Sequence, residues 1–174
     1  MSALWASSQP IPLRAVVDRP HRRDQPVVAL PMADGDIPDI RNPRDRDVAA
    51  MRVAYRDTGG TARSDNLARL LANHQPGRHA SLSELVISGQ IFSFEWHDVH
   101  WIPMFQFELR DLSVHRGARK VVREFGRVFD GWSLAVWFAY PNSWLGHRAP
   151  VELLEWDLPV VLDAARADRY IANG

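Results

Sequence analysis

The residues of this chain best suited to chemistry are few and poorly partnered. His97 and His100 lie either side of Asp98 and Val99, and two imidazoles beside a carboxylate are the start of a metal site. Zinc needs three or four ligands, and the sequence has no cysteine to complete the set. The same residues read equally as the polar tip of a hairpin, with the two histidines facing each other. Gly59-Gly60-Thr61-Ala62-Arg63-Ser64 begins like a phosphate loop but lacks the Gly-Lys-Ser/Thr ending that cradles phosphate. Glu95, Glu108 and Asp111 have no spacing that sets one as acid and another as base. With no nucleophile elbow, HExxH or Gly-x-Gly-x-x-Gly, the expectation is a protein that is not an enzyme, without catalytic residue, metal or cofactor.

Recognition is better supplied than catalysis. Arg166, Asp168, Arg169 and Tyr170 cluster near the C-terminus, and arginine and tyrosine are over-represented where interfaces hold their energy. An arginine reaching into a site for a phosphorylated cofactor would obstruct it; the bland counterpart is a solvated terminal turn. Leu153, Leu154, Trp156, Leu158, Val161, Leu162 and Ala165 form more apolar surface than two short helices bury by themselves. At roughly 25 cal/mol per Å², a partner covering part of it gains affinity, although the same residues can serve as the chain's own core. For nucleic acid, Arg63, Arg69 and Arg78 would hold phosphate while Ser81 and Ser83, at the start of a helix, would face base edges.

The elements that must position these residues follow from composition and period. The chain has 174 residues, 46% hydrophobic, and a formal net charge of zero, so it has no broad positive field of the kind that dominates nucleic-acid affinity. The absence of cysteine, of a signal-like start and of an apolar run near the ~20 residues of a membrane span leads to the expectation of a cytoplasmic protein without membrane contact. Seven of the twelve prolines fall in residues 1–45, which predicts an extended or disordered tail. From there Val48, Met51 and Tyr55 mark one helix face. A second helix is predicted from Ser64, and a third from the capping box Ser81-Leu82-Ser83-Glu84.

Residues 91–96 and 101–107 then change to strand character, with Pro103 pointing to an edge strand or a break. After Gly117 the pattern is helical to the end. The fold class expected is mainly α: a helical segment plus β-hairpin over 46–112, resembling a winged helix-turn-helix, then a helical domain over 113–174.

The phrase Pro141-Asn142-Ser143-Trp144-Leu145-Gly146-His147-Arg148-Ala149-Pro150-Val151-Glu152-Leu153-Leu154 resembles the signature of the Xre/MbcA/ParS toxin-binding domain. In that family an apolar helix, a Pro-Asn turn, a Leu-Gly step, a Pro-x-x-Leu-Leu helix and a closing amphipathic helix follow in order. Ile102-Pro103-Met104-Phe105-Gln106-Phe107 is similar to the Pro-x-Phe-Gln-Phe stretch that precedes the domain. Where the family often has a second glycine after the Leu-Gly step, this chain has His147. The resemblance spans about residues 65–172. It implies an antitoxin that neutralises a protein toxin encoded by an adjacent gene, commonly of RES type and NAD-consuming, and that often self-associates, here as a homodimer, and represses its own operon by contacting operator DNA. The toxin-binding residues expected are Trp144, Leu153, Leu154, Trp156, Arg166, Arg169 and Tyr170. The alternative is a DNA-binding regulator of the same architecture without a toxin.

Overall fold

The computed structural model describes residues 38–74 and 81–174. Most of the expected tail, residues 1–37, and Arg78 therefore lie outside the described residues. These are mainly helical, with seven α-helices and one three-stranded antiparallel sheet among them. Their order is α1 (Pro43–Ala54), β1 (Thr61–Arg63), α2 (Ser64–His74), α3 (Leu82–Ile87), β2 (Phe94–Trp96), β3 (Val99–Pro103), α4 (Arg116–Phe125), α5 (Gly131–Ala139), α6 (Pro150–Leu153) and α7 (Leu158–Asn173).

The end of the supposed tail is part of the fold. The Asn42 side chain accepts from the Arg44 backbone N–H at 3.0 Å, and Pro43 occupies the first helical turn, where its missing N–H costs nothing. Asp45 is almost completely buried. Its carboxylate accepts from the Trp96 indole at 2.7 Å and the Asp39 backbone N–H at 2.8 Å. The Trp96 bond holds this carboxyl below the usual carboxylate range, against the opposing effect of burial.

Val48, Met51 and Tyr55 share one face as their spacing predicts, and all are buried. The helix they define docks on α5, where the Tyr55 hydroxyl donates to the Ala135 carbonyl. Burial pushes that phenol well above its ordinary pKa.

The sheet order is β1-β3-β2. Thr61-Ala62-Arg63 gives too short a run to be read as a strand and takes its conformation from the register Thr61–Pro103, Ala62–Ile102 and Arg63–Trp101. Strand β3 is thus central, not an edge. Pro103 is tolerated because it is the strand's last residue. The β2–β3 hairpin closes through His97-Asp98, both at positive φ (50° and 57°), as a two-residue turn of this handedness requires. His100 faces Glu95 across the hairpin. His97 instead stacks on Trp96 with ring centroids 4.2 Å apart, its Nε2 3.4 Å from Asp45. The two histidines do not form the facing pair expected from spacing.

Alternation along β3 divides the packing. Trp101 enters a large cluster with Phe94, Phe105, Phe125, Phe138 and Val161, while Ile102 enters a smaller one with Ala62, Leu67, Leu85 and Met104. The large cluster also contains Val48, Met51 and Tyr55, so the packing does not divide at residue 112. Helix α1 shares its core with the C-terminal helices, whereas α2 and α3 pack on the other face of the sheet.

One buried amide ties the approach to β2 to the segment that follows β3. Gln106 accepts from the Phe92 N–H at 2.8 Å and donates to the Phe92 and Pro103 carbonyls at 2.9 and 3.2 Å. It thereby supplies the ladder that residues 91–93 lack. Replacing it leaves buried backbone groups without partners, at a cost of about 1–3 kcal/mol. Gln106→Ala and Gln106→Leu should each lower unfolding free energy in urea by about 3 kcal/mol. The leucine variant should not recover the loss, because the defect is polar and not a void.

Candidate partner-binding surface

The surface around α7 is built from the end of α5 outward. Pro141 stops α5, and Asn142 organises the turn that follows. Its side-chain carbonyl accepts from the Trp144 N–H at 2.8 Å. Its backbone N–H donates to Arg148 O and its carbonyl accepts from the His147 N–H, both at 3.0 Å. Gly146 and His147 are both left-handed, at φ 61° and 62°. His147 therefore occupies a position that a glycine would fill without strain.

This turn is fastened to α7 by one carboxylate. Asp168 accepts from the Trp137 indole at 2.7 Å, the Asn142 side-chain amide at 2.6 Å and the Trp144 indole at 3.0 Å. Three N–H donors from α5 and the turn thus converge on one helix residue. Trp144, whose only polar group is satisfied in this way, remains 57% exposed and presents apolar surface in a fixed orientation. Further along α7, Tyr170 is 81% and Ile171 64% exposed, with Val160 also exposed at the other end. Trp156, 70% exposed, stands between α6 and α7.

The expected binding residues separate into three groups. Trp144, Trp156 and Tyr170 are on the surface. Leu153 and Leu154 are buried in the large core and are not available to a partner. Most of the apolar excess read in this region, including Val161 and Ala165, is the chain's own interior.

Arg166 and Arg169 are reachable but engaged. Arg169 Nη1 donates to the Glu124 carbonyl at 2.7 Å and meets its carboxylate at 3.0 Å. Arg166 lies 3.4 Å from the same carboxylate and 2.8 Å from Asp163. Arg169 clamps α7 to α4. Arg166, itself exposed and paired with the exposed Asp163 and the half-buried Glu124, is held more weakly.

Three of the described residues expected to touch DNA, Arg63, Arg69 and Ser81, are engaged with neighbours in their own segments. Arg63 is 3.4 Å from Asp65, and Arg69 bonds Asn66 and the Asp65 carbonyl. The Ser81 hydroxyl accepts from the Glu84 N–H at 3.2 Å, and the Glu84 carboxylate returns to the Ser81 N–H at 2.6 Å. Ser81 is therefore a helix cap. The exposed positions of α3 are Ser83, Glu84 and Ile87, none of them basic.

No protein-family model matches the sequence, and no curated protein or solved structure matches it either.

Asp168 was legible only as one of four polar residues near the terminus. Its partners lie 24 to 31 positions away, beyond any local pattern. Asp168→Ala should reduce stability by about 2 kcal/mol and diminish the near-UV circular dichroism of the tryptophans. Asp168→Asn, which keeps one acceptor oxygen, should fall between. Unchanged spectra and stability in the alanine variant would show that the carboxylate does not organise this surface.

Proposed function

We propose that this chain is an antitoxin that binds and neutralises a cognate protein toxin encoded by an adjacent gene, of RES type and NAD-consuming. In this reading it acts in the cytoplasm, as a homodimer, and the toxin seats on α7 and the Pro-Asn/Leu-Gly turn. The observation that carries the reading is Trp144: a large aromatic side chain, exposed yet oriented by Asp168, on the segment that bears the resemblance. Tryptophan and tyrosine dominate interface energetics because they bring much area at little conformational cost. With Tyr170 and Trp156 exposed nearby in the chain, the surface has the residue types of a binding face. No helix among the described residues is long and apolar enough to cross a membrane.

A second reading, contact with operator DNA, is favoured by chain order. Helix, strand, helix, helix, strand, strand, with the first strand against the third, is an order compatible with a winged helix-turn-helix. Helix α3 would then enter the groove and the hairpin would be the wing. The acidic Glu84 on α3 disfavours this role, leaving Arg63 and Arg69 to supply phosphate contacts.

Co-expression with the neighbouring open reading frame, followed by affinity capture and an NAD-consumption assay, tests the main reading. Trp144→Ala combined with Tyr170→Ala should weaken capture by at least about 30-fold, the equivalent of ~2 kcal/mol, and restore NAD consumption. Full capture and silencing by the folded double variant would overturn the proposed surface.

A further inference from the structure

Helix α7 buries one side and leaves the other without cover among the described residues. Val161, Ala164 and Ala165 enter the core, and Arg169 reaches Glu124 of α4. On the outer side Val160, Asp163, Ala167 and Ile171 recur at i, i+3, i+7 and i+11, the spacing of one helix face. Val160 and Ile171 are exposed, and Trp156 is exposed just before the helix begins. Single exposed apolar residues are ordinary, whereas several aligned on one face mark an interaction site.

The stripe has the form of a surface that pairs with itself. A two-fold axis crossing the helix near Ala164 lays a second α7 antiparallel on the first. Val160 then meets the partner subunit's Ala167, the larger residue against the smaller. Trp156 meets the end of the second helix that carries Ile171.

The charges fit the same axis. Asp163 and Arg166 form an exposed pair at 2.8 Å within the chain. Antiparallel pairing sets Asp163 of each copy opposite Arg166 of the other, so four charges alternate in sign and both intrachain pairs are kept. A parallel pairing would set like charge against like, which costs affinity.

We propose that the outer face of α7 is an interface between two copies of this chain, paired antiparallel. The proposal rests on the homodimer of the reading above, whose contact it names, and it needs no toxin. Asp168, which holds Trp144, is about 100° round the helix from Ala167, so the stripe and the Trp144 surface are separate flanks of α7. A single pair of helices covers less than the about 1,200–2,000 Å² of a standard interface, and the dimer is accordingly a weak one.

The chain has no cysteine, so introduced cysteines report the pairing without background. In the full-length protein, Val160→Cys and Ala167→Cys, both outside the core, should give a disulfide-linked dimer on mild oxidation when mixed, and far less when either is alone. Sedimentation at increasing concentration should show a monomer–dimer equilibrium. Asp163→Arg and Arg166→Asp should each weaken it about tenfold, and an equimolar mixture of the two should pair again, because each then meets its opposite. A monomer at every concentration would overturn the proposal together with the homodimer, and would leave a different protein or the chain's own residues 1–37 to cover the stripe. A dimer whose affinity is unchanged in the charge variants, or in which either cysteine links to itself as readily as the mixture does, would overturn the α7 contact alone. Toxin capture through Trp144 is measured separately and stands or falls without either result.

Discussion

Helix α5 must be covered on every side. Its sequence, Gly131-Trp-Ser-Leu-Ala-Val-Trp-Phe-Ala139, has Ser133 as its only polar side chain, and a helix that is apolar all round is stable in water only as an interior element. The rest of the described chain is arranged by that requirement. Tyr55 of the α1 end bonds the Ala135 carbonyl. Phe92 stacks on Phe138 at 5.9 Å, Phe94 meets Trp132 edge-on, and Phe125 of α4 meets Trp137 edge-on at 4.9 Å. Such aromatic pairs are worth about 0.5–1.5 kcal/mol each beyond their buried area. Gly131 is required where the helix begins: a Cβ there would lie 1.8 Å from the Ser93 carbonyl oxygen. No side chain fits between α5 and the β2 approach.

The same helix links interior to surface. Trp137 packs against Phe125 and Phe138 with its ring, and its indole N–H reaches Asp168 on α7. Asp168 also takes the N–H groups of Asn142 and Trp144, so the orientation of an exposed aromatic is set by a carboxylate that the core itself positions. Glu124 performs the matching task on the other side of α7, holding Arg169 through both its carbonyl and its carboxylate. Helix α7 is thus fixed from two directions, and a partner of the kind proposed would encounter a surface that needs little ordering. Preorganisation of this kind raises affinity by lowering the conformational cost of association.

Local periodicity revealed what is local. The face of α1, the capping box of α3, the hairpin and the succession of C-terminal helices all follow from spacing and from cap and turn residues. The rest depends on neighbours distant in sequence. Strand β1 exists because β3 offers it a register. Asp45 reads as an ordinary first-turn acid, yet it is buried because Trp96 bonds it from 51 positions away. Leu153 and Leu154 read as surface as readily as core, since sidedness in a four-residue helix is decided by what covers it. At the candidate site, Trp144 and Tyr170 were legible as interface residue types, whereas the acceptor that orients Trp144 was not.

The large core cluster runs across residue 112, joining α1 and the β2 approach to the C-terminal helices. If α5 needs α1 and the β2 approach as cover, residues 113–174 alone lack half of its surroundings. Urea unfolding of that fragment beside the full-length protein, followed by circular dichroism, measures this directly. The account predicts no cooperative transition for the fragment and one for the full chain. A cooperative transition in the fragment at the full chain's midpoint would show that the C-terminal helices fold as an independent domain and that α5 does not depend on the front of the molecule.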